Sequence, residues 1–176
     1  MKAVWLIGFR ASGKTTLGKE VARHLGWDFL DLDEEWERRN QTTILEFVAD
    51  KGIDHFRKEE ENLLREMDSL LSDSSLKKTG LILATGGGFV DWPASFQIVA
   101  LSRHPKAYLE LPAEALWERL KSSPDRRKIG DLSDFETMQL LLEKRRPFYE
   151  KIASFRLKSQ AIKDCLAQLE SHLAKR

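Results

Sequence analysis

The chain of 176 residues is 41% hydrophobic and 32% charged, which predicts a single domain, residues 1–176, with a substantial core. Its net charge of +1 gives no positive field that would attract nucleic acid, and no apolar run is long enough to cross a membrane. We therefore expect the protein to bind neither nucleic acid nor a membrane. A lone cysteine, Cys165, excludes an internal disulfide, and we expect a cytoplasmic monomer.

Strand and helix patterns alternate along the chain. Short apolar runs bounded by turn residues predict five strands: Ala3–Ile7, Trp27–Leu32, Leu81–Thr85, Lys106–Leu111 and Phe155–Leu157. Apolar residues spaced by three and four predict helices from Lys14 to a stop at Gly26, then at Asp33–Arg39, 44–49, Asp54–Leu71, Ala113–Leu120, from a capping box at Ser133 to just before Pro147, and around 162–173. The run Phe96–Leu101 fits either element. This alternation predicts an α/β fold, a five-stranded parallel sheet flanked by helices on both faces.

The first predicted strand leads directly into a phosphate-binding loop. Residues Gly8–Thr15 read GFRASGKT, the spacing of a P-loop between a strand and a helix. Gly13 lets backbone N–H groups close around phosphate, Lys14 supplies positive charge to the β and γ phosphates, and Thr15 supplies a hydroxyl ligand for Mg²⁺. We therefore expect a bound nucleotide, held by Ala11, Ser12, Gly13, Lys14, Thr15 and Thr16.

Two further groups of residues follow predicted strands. Asp31 and Asp33 end the second strand, and on an extended backbone both carboxylates would point the same way, where they could hold Mg²⁺ through water and accept a proton. The alternative is that Asp33 only caps the next helix. Gly86–Gly88 follow the third strand, and without side chains they would let a small ligand approach the backbone; the alternative is a flexible turn.

Several arginines have guanidinium groups that could bind carboxylates or phosphates, but their spacing in the sequence does not by itself place them at one site. They are Arg57, Arg126, Arg127, Arg145 and Arg146. The run Lys58–Glu61 beside the first of them is interpreted as a solvated helix face. The stretch 121–132 is polar and lacks periodicity, which predicts a mobile loop.

Six segments, in this order and at this spacing, are typical of one family: GFRASGKTTLGKEVA, FLDLDEEWERR, HFRKEEENLL, LILATGGGFV, YLELPAEALWERL and RRPFYEKIA. They resemble the shikimate kinases over nearly the whole chain. Many folds share a P-loop, whereas DLD, FR, ATGGG and R-x-P-x-Y together are much more specific. The resemblance implies a P-loop NTPase fold of the nucleoside monophosphate kinase type. It also implies Mg²⁺-dependent transfer of the γ-phosphoryl of ATP to the 3-hydroxyl of shikimate, in chorismate and aromatic amino-acid biosynthesis.

The resemblance also implies an acceptor site, carried by helices at about 33–72 and by residues further along the chain. Asp33 would bind the substrate hydroxyls and orient the attacking one, and Asp31 would support Mg²⁺ through water. Arg57 and Arg145 would hold the substrate carboxylate. The backbone of Gly86, Gly87 and Gly88, chiefly Gly87, would line the substrate floor.

On the nucleotide side, the resemblance implies that Arg119 packs on adenine. The stretch 121–132 would be a lid whose arginine, Arg126 by gapless alignment, reaches the transferred phosphate; Arg127 stands where the family has proline. Lys14, Asp33 and Arg126 would then be the catalytic residues.

One departure from the family lies in the P-loop. Ala11 stands where the family commonly has glycine, and its methyl group is tolerable only if its φ stays negative.

Other functions remain open at this point. A gluconate-type sugar-acid kinase and a nucleotide kinase share the P-loop layout, and a homologue could bind a nucleotide without catalysis. A GTPase switch is disfavoured because the chain has no Asn-Lys-x-Asp signature.

Overall fold

The computed structural model describes residues 2–72, 80–122, 132–158 and 161–174. The strands in these ranges are β1 (Ala3–Ile7), β2 (Asp28–Asp31), β3 (Leu81–Ala84), β4 (Lys106–Leu109) and β5 (Phe155–Leu157). The α-helices in the same ranges are α1 (Lys14–Leu25), α2 (Leu32–Asn40), α3 (Ile44–Lys51), α4 (Ile53–Ser72), α5 (Pro93–Leu101), α6 (Ala113–Lys121), α7 (Phe135–Ile152) and α8 (Ile162–Ala174). A short 3₁₀ helix, Phe89–Asp91, lies between β3 and α5.

The five strands form one parallel sheet in the order β2-β3-β1-β4-β5, which confirms the predicted α/β architecture. The central strand, β1, pairs with β3 on one side and β4 on the other. The carboxyl ends of β1, β2 and β3 therefore lie side by side. In open parallel sheets, this edge is where ligands bind.

Alternate residues of β1 enter two separate cores, one on each face of the sheet. Trp5 and Ile7 pack into a core with residues of α2, α4 and α7, whereas Val4 and Leu6 pack into a core with residues of α1 and α8. Because both faces are covered, the whole strand is buried and its sequence is apolar without alternation.

The structure resolves the ambiguous run Phe96–Leu101, which belongs to helix α5. This helix starts at Pro93, and a proline in the first turn costs no hydrogen bond because that N–H has no partner within the helix.

The predicted limits of helix α7 are wrong at both ends. Its N-cap is Asp134 and not Ser133, and the Asp134 carboxylate accepts a backbone hydrogen bond of 2.8 Å from the first turn. The helix also continues through Pro147. Tyr149, beyond the proline, is fully buried and stacks on Tyr108 with ring centroids 5.3 Å apart. Packing of this kind on both sides of the proline outweighs the hydrogen bond that the proline removes.

Helix α4 buries most of its apolar residues against the sheet and its neighbours, whereas Leu70 is 43% exposed. None of the helices in the described ranges combines the length and apolar character that a membrane crossing requires.

The start of helix α3 offers a test of local stability. The hydroxyl of Thr43 accepts a hydrogen bond from the Glu46 N–H at 3.1 Å, and the Glu46 carboxylate accepts one from the Thr43 N–H at 3.0 Å, which is a complete capping box. We expect Thr43→Ala to lower the free energy of unfolding by about 1 kcal/mol in urea titrations. Thr43→Ser keeps the hydroxyl and should stay within a few tenths of wild type. Equal losses in both variants would contradict the cap.

Candidate active site

A cavity of about 270 Å³ opens at the carboxyl edge of the sheet. Five segments line it: the P-loop after β1, the first part of α2 after β2, the start of α3, one face of α4, and the glycine segment Gly86–Gly88 after β3. The sheet order brings these segments together, because β1, β2 and β3 are neighbours whose carboxyl ends face the same way. The cavity is large enough for a small ligand beside the phosphate loop.

The P-loop has the conformation that its glycines predict. Gly8 and Gly13 have φ values of 145° and 98°, in the region where side chains are rarely tolerated. A Cβ on Gly8 would also lie 2.9 Å from the Leu109 carbonyl oxygen. The Lys14 ammonium donates hydrogen bonds of 2.9 Å to the Gly8 and Phe9 carbonyl oxygens, which hold it over the loop. Helix α1 starts at Lys14, so its positive end faces the same space.

Ala11 does not meet the condition of a negative φ, because its φ is +61°. A left-handed conformation costs a residue with a side chain about 1–2 kcal/mol. Two contacts accompany it: Nη1 of Arg119, on α6, donates to the Ala11 carbonyl at 3.2 Å and to the Ser12 carbonyl at 3.0 Å. Arg119 thus clamps the strained loop from outside, and its contact with adenine stays a prediction.

The acidic pair after β2 is arranged differently from the prediction. Asp31 ends the strand, whereas Asp33 lies in the first turn of helix α2, so the two carboxylates do not share an extended backbone. The N-cap of α2 is Asp31 and not Asp33: its Oδ1 accepts from the Asp33 N–H at 3.0 Å. Its Oδ2 accepts from the Thr15 hydroxyl at 2.6 Å, which ties the P-loop helix to β2. This adjacent hydroxyl and carboxylate are hard oxygen donors, the kind that Mg²⁺ prefers beside nucleotide phosphates.

Asp33 lines the cavity, and its surroundings make it a weak acid. Burial raises the pKa of Asp33 to about 7, and the charges of Asp31 and Glu60 act in the same direction. Lys14 and Arg57 oppose this shift. A carboxyl group that ionises near neutral pH can take a proton from a hydroxyl held against it.

The glycine segment is built into the site by close contacts. A Cβ on Gly86 would lie 2.6 Å from Oε1 of Glu60 and 2.7 Å from Oδ1 of Asp33. A Cβ on Gly88 would overlap the guanidinium of Arg57. Side chains at these positions would therefore displace the charged groups, and the alternative of a merely flexible turn does not account for this packing.

Arg57 is buried, and the run beside it is only in part the solvated face that its charges suggested, because Lys58 and Glu59 are exposed whereas Glu60 and Glu61 are buried. Arg57 and Glu60 are 7% and 5% exposed, and Nη1 of Arg57 donates to Oε2 of Glu60 at 2.7 Å. Burial raises the pKa of Glu60 although Arg57 opposes it. Among the described residues, Oε1 of Glu60 has no hydrogen-bond partner, and Glu60 lines the cavity. The signal that could have revealed Glu60 is its spacing of three from Arg57, which places both on one helix face.

Arg145 lies behind the glycine segment and not in the wall of the cavity. Its guanidinium is paired with the Asp91 carboxylate, with Nε 3.1 Å from both carboxylate oxygens. Its Nη1 donates to the Gly87 carbonyl at 3.4 Å, and the Tyr149 hydroxyl donates to the same oxygen. Arg145 thus supports the floor from below in this structure.

The structure adds one residue that the sequence patterns did not single out, and it leaves two predicted arginines untested. Arg126 and Arg127 lie outside the described residues. Arg10, an unassigned position of the P-loop pattern, lines the cavity next to the acceptor-side residues.

Comparisons with known proteins agree with this arrangement. A family model described as shikimate kinase matches residues 10–171. A shikimate kinase of Aromatoleum aromaticum is 34% identical over 150 residues, which cover 85% of this chain and 81% of that protein. The solved structure of a shikimate kinase from Acinetobacter baumannii in complex with shikimate has a TM-score of 0.85 at 26% identity, covering 99% of this chain and 94% of that one.

A longer relative shares only one segment. The pentafunctional AROM polypeptide of Yarrowia lipolytica is 44% identical over 93 residues, which cover 53% of this chain and 6% of that polypeptide. The likeness therefore concerns a small part of that protein.

The position of Lys14 generates a prediction about nucleotide binding. We expect Lys14→Met to weaken ATP binding by about tenfold or more, because a charge-assisted hydrogen bond contributes about 1.5–3 kcal/mol. Lys19→Met is the matched control, since Lys19 lies on the same helix but is exposed and paired with Glu34 at 3.1 Å. Isothermal titration calorimetry with ATP measures both, and equal affinities would remove Lys14 from the phosphate site.

Proposed function

Because the chain belongs to the shikimate kinase family, we propose that it transfers the γ-phosphoryl group of ATP to the 3-hydroxyl of shikimate. The observation that carries this proposal is a single cavity with two chemically distinct halves. One half is the P-loop, and the other is lined by Asp33, Arg57 and the glycine segment. A donor with phosphates and a small hydroxylated anion would meet in this cavity.

The donor half is suited to a triphosphate. The Lys14 ammonium, the backbone of the P-loop and the N-terminus of α1 all present positive charge to the same space. Arg119 would keep the loop in its binding conformation through the Ala11 and Ser12 carbonyls. The phosphates would then be held before the acceptor arrives.

The acceptor half is suited to a carboxylate that also carries hydroxyls. Arg57 has a planar guanidinium, which binds carboxylates in a bidentate way. The Asp33 carboxylate accepts hydroxyl hydrogens, and the glycine segment leaves room for a ring against the backbone. Arg145, paired with Asp91 in this structure, would need to share its guanidinium with the substrate to bind it directly.

Thr15 and Asp31 are the residues that would hold Mg²⁺, with Asp31 acting through water. When bound, the ion supplies positive charge to the phosphate oxygens of the nucleotide. The protein would bring the two substrates into line and exclude water between them.

The chemistry is one displacement. The substrate hydroxyl oxygen forms a bond to the γ-phosphorus while the bond from this phosphorus to the β–γ bridging oxygen breaks. ADP leaves with that electron pair. Asp33 orients the hydroxyl and accepts its proton, and Lys14 neutralises charge on the phosphates.

The monomeric state and the cytoplasmic location remain predictions beside this activity.

The acceptor is tested by offering shikimate, gluconate and nucleoside monophosphates separately with ATP and Mg²⁺. We expect ADP release to be stimulated by shikimate alone, because the family model and the relatives are those of shikimate kinases, and a nucleoside monophosphate has no carboxylate for Arg57. A coupled ADP assay measures the rate, and mass spectrometry identifies the phosphorylated product. Stimulation by gluconate or by a nucleotide without stimulation by shikimate would overturn the proposal in favour of another P-loop kinase, and no stimulation at all would favour a protein that only binds nucleotide.

Arg57 separates acceptor binding from nucleotide binding. We expect Arg57→Ala to raise KM for shikimate by about tenfold or more, with KM for ATP within about twofold of wild type. Arg65→Ala is the control on the same helix, because Arg65 is 65% exposed at its side chain and pairs with Glu61. Arg57→Lys keeps a charge beside Glu60 but loses the planar fork, so it should also raise KM for shikimate. Equal losses for both substrates would mean that Arg57 serves the fold.

A further inference from the structure

Arg10 belongs to the P-loop in the sequence, but in the structure it lies beside the acceptor half of the cavity. The P-loop pattern leaves its identity open, and phosphate binding uses the backbone and the lysine of the loop. Arg10 nevertheless lines the cavity together with Arg57, Asp33 and the glycine segment.

The backbone of Arg10 is fixed against the floor of the site. A Cβ on Gly87 would lie 2.7 Å from the Arg10 nitrogen and 3.3 Å from its Cα, so the two chain segments are in contact there. The same glycine is held on its carbonyl side by Arg145 and Tyr149. The Arg10 side chain therefore starts from a rigid point beside the place expected for the substrate ring.

The charges around Arg10 favour an anion. Burial lowers the pKa of Arg10 to about 10, and the positive charges of Arg145 and Arg57 act in the same direction, while Tyr149 and Asp33 oppose them. The guanidinium still carries its charge at neutral pH, so the positive charges of Arg10 and Arg57 line the same cavity, and Arg145 lies behind its floor. Arg57 and Arg145 each use guanidinium hydrogens on a carboxylate of the protein. A negatively charged ligand group at this end would relieve their mutual repulsion.

We propose that Arg10 is an acceptor-binding residue, whose guanidinium binds the carboxylate of the acceptor beside Arg57. This inference rests on the proposed function, since it takes the acceptor to be a carboxylate. It gives the P-loop two roles, because its backbone and lysine hold the donor while its third residue reaches over to the other substrate.

The test compares Arg10→Gln with wild type on two acceptors, shikimate and its carboxamide, which lacks the negative charge. We expect Arg10→Gln to lower kcat/KM for shikimate by about tenfold, mainly through KM, because a charge-assisted hydrogen bond is lost. On the carboxamide the two proteins should agree within about twofold, since that acceptor has no charge for Arg10 to bind. KM for ATP should be unchanged.

Two further variants make the test specific. Arg23→Gln changes an arginine on α1 whose side chain is 77% exposed, and it should match wild type on both acceptors. Arg10→Lys keeps the charge but not the fork, and it should fall between wild type and Arg10→Gln on shikimate. Thermal melting of each variant shows that it is folded.

The outcomes separate the two proposals. If wild type phosphorylates shikimate but Arg10→Gln has an unchanged KM, or loses equally on both acceptors, the assignment of Arg10 is wrong and the proposed function stands. A fall in kcat with unchanged KM would place Arg10 on the transferred phosphoryl group and would also overturn it. If wild type does not phosphorylate shikimate, the proposed function fails and the inference fails with it.

Discussion

The absence of side chains at Gly86–Gly88 is the constraint on which the rest of the site depends. Gly86 leaves room for the Asp33 and Glu60 carboxylates, Gly87 for the backbone of the P-loop, and Gly88 for the Arg57 guanidinium. These contacts bring the P-loop, the first turn of α2 and one face of α4 against one short segment of backbone. A methyl group at Gly86 or Gly88 would push a charged group out of its position, and one at Gly87 would push the P-loop backbone, because the neighbouring atoms lie closer than a normal contact distance.

Burial of opposite charges gives the acceptor half its chemistry. In the part of the chain that the structure describes, Glu60 pairs with Arg57 through Oε2, and its Oε1 has no hydrogen bond. Burial raises the pKa of Asp33, and the charges of Asp31 and Glu60 act in the same direction. A site of this kind is costly to bury, and a ligand that brings both hydroxyls and a carboxylate would satisfy its remaining polar groups.

The donor half is held by contacts between distant segments. The Thr15 hydroxyl bound to Asp31 fixes the start of α1 against β2, and Arg119 from α6 fixes the left-handed turn at Ala11. Ala11, where glycine is common, therefore has a strained backbone conformation, and the hydrogen bonds from Arg119 stabilise it. The P-loop keeps the conformation that phosphate binding needs.

The sequence by itself determined the fold class and the phosphate loop, because both depend on neighbouring residues: the apolar run of β1 and the spacing from Gly8 to Thr15 are local patterns. The resemblance added the family, and the matching family model confirms it. Only the tertiary structure decided that Glu60 faces inward, that Arg145 pairs with Asp91, and that Arg10 lies against Gly87. A charged residue takes its degree of burial, and any partner on another element, from packing, whereas sequence periodicity indicates only its neighbours on the same helix face.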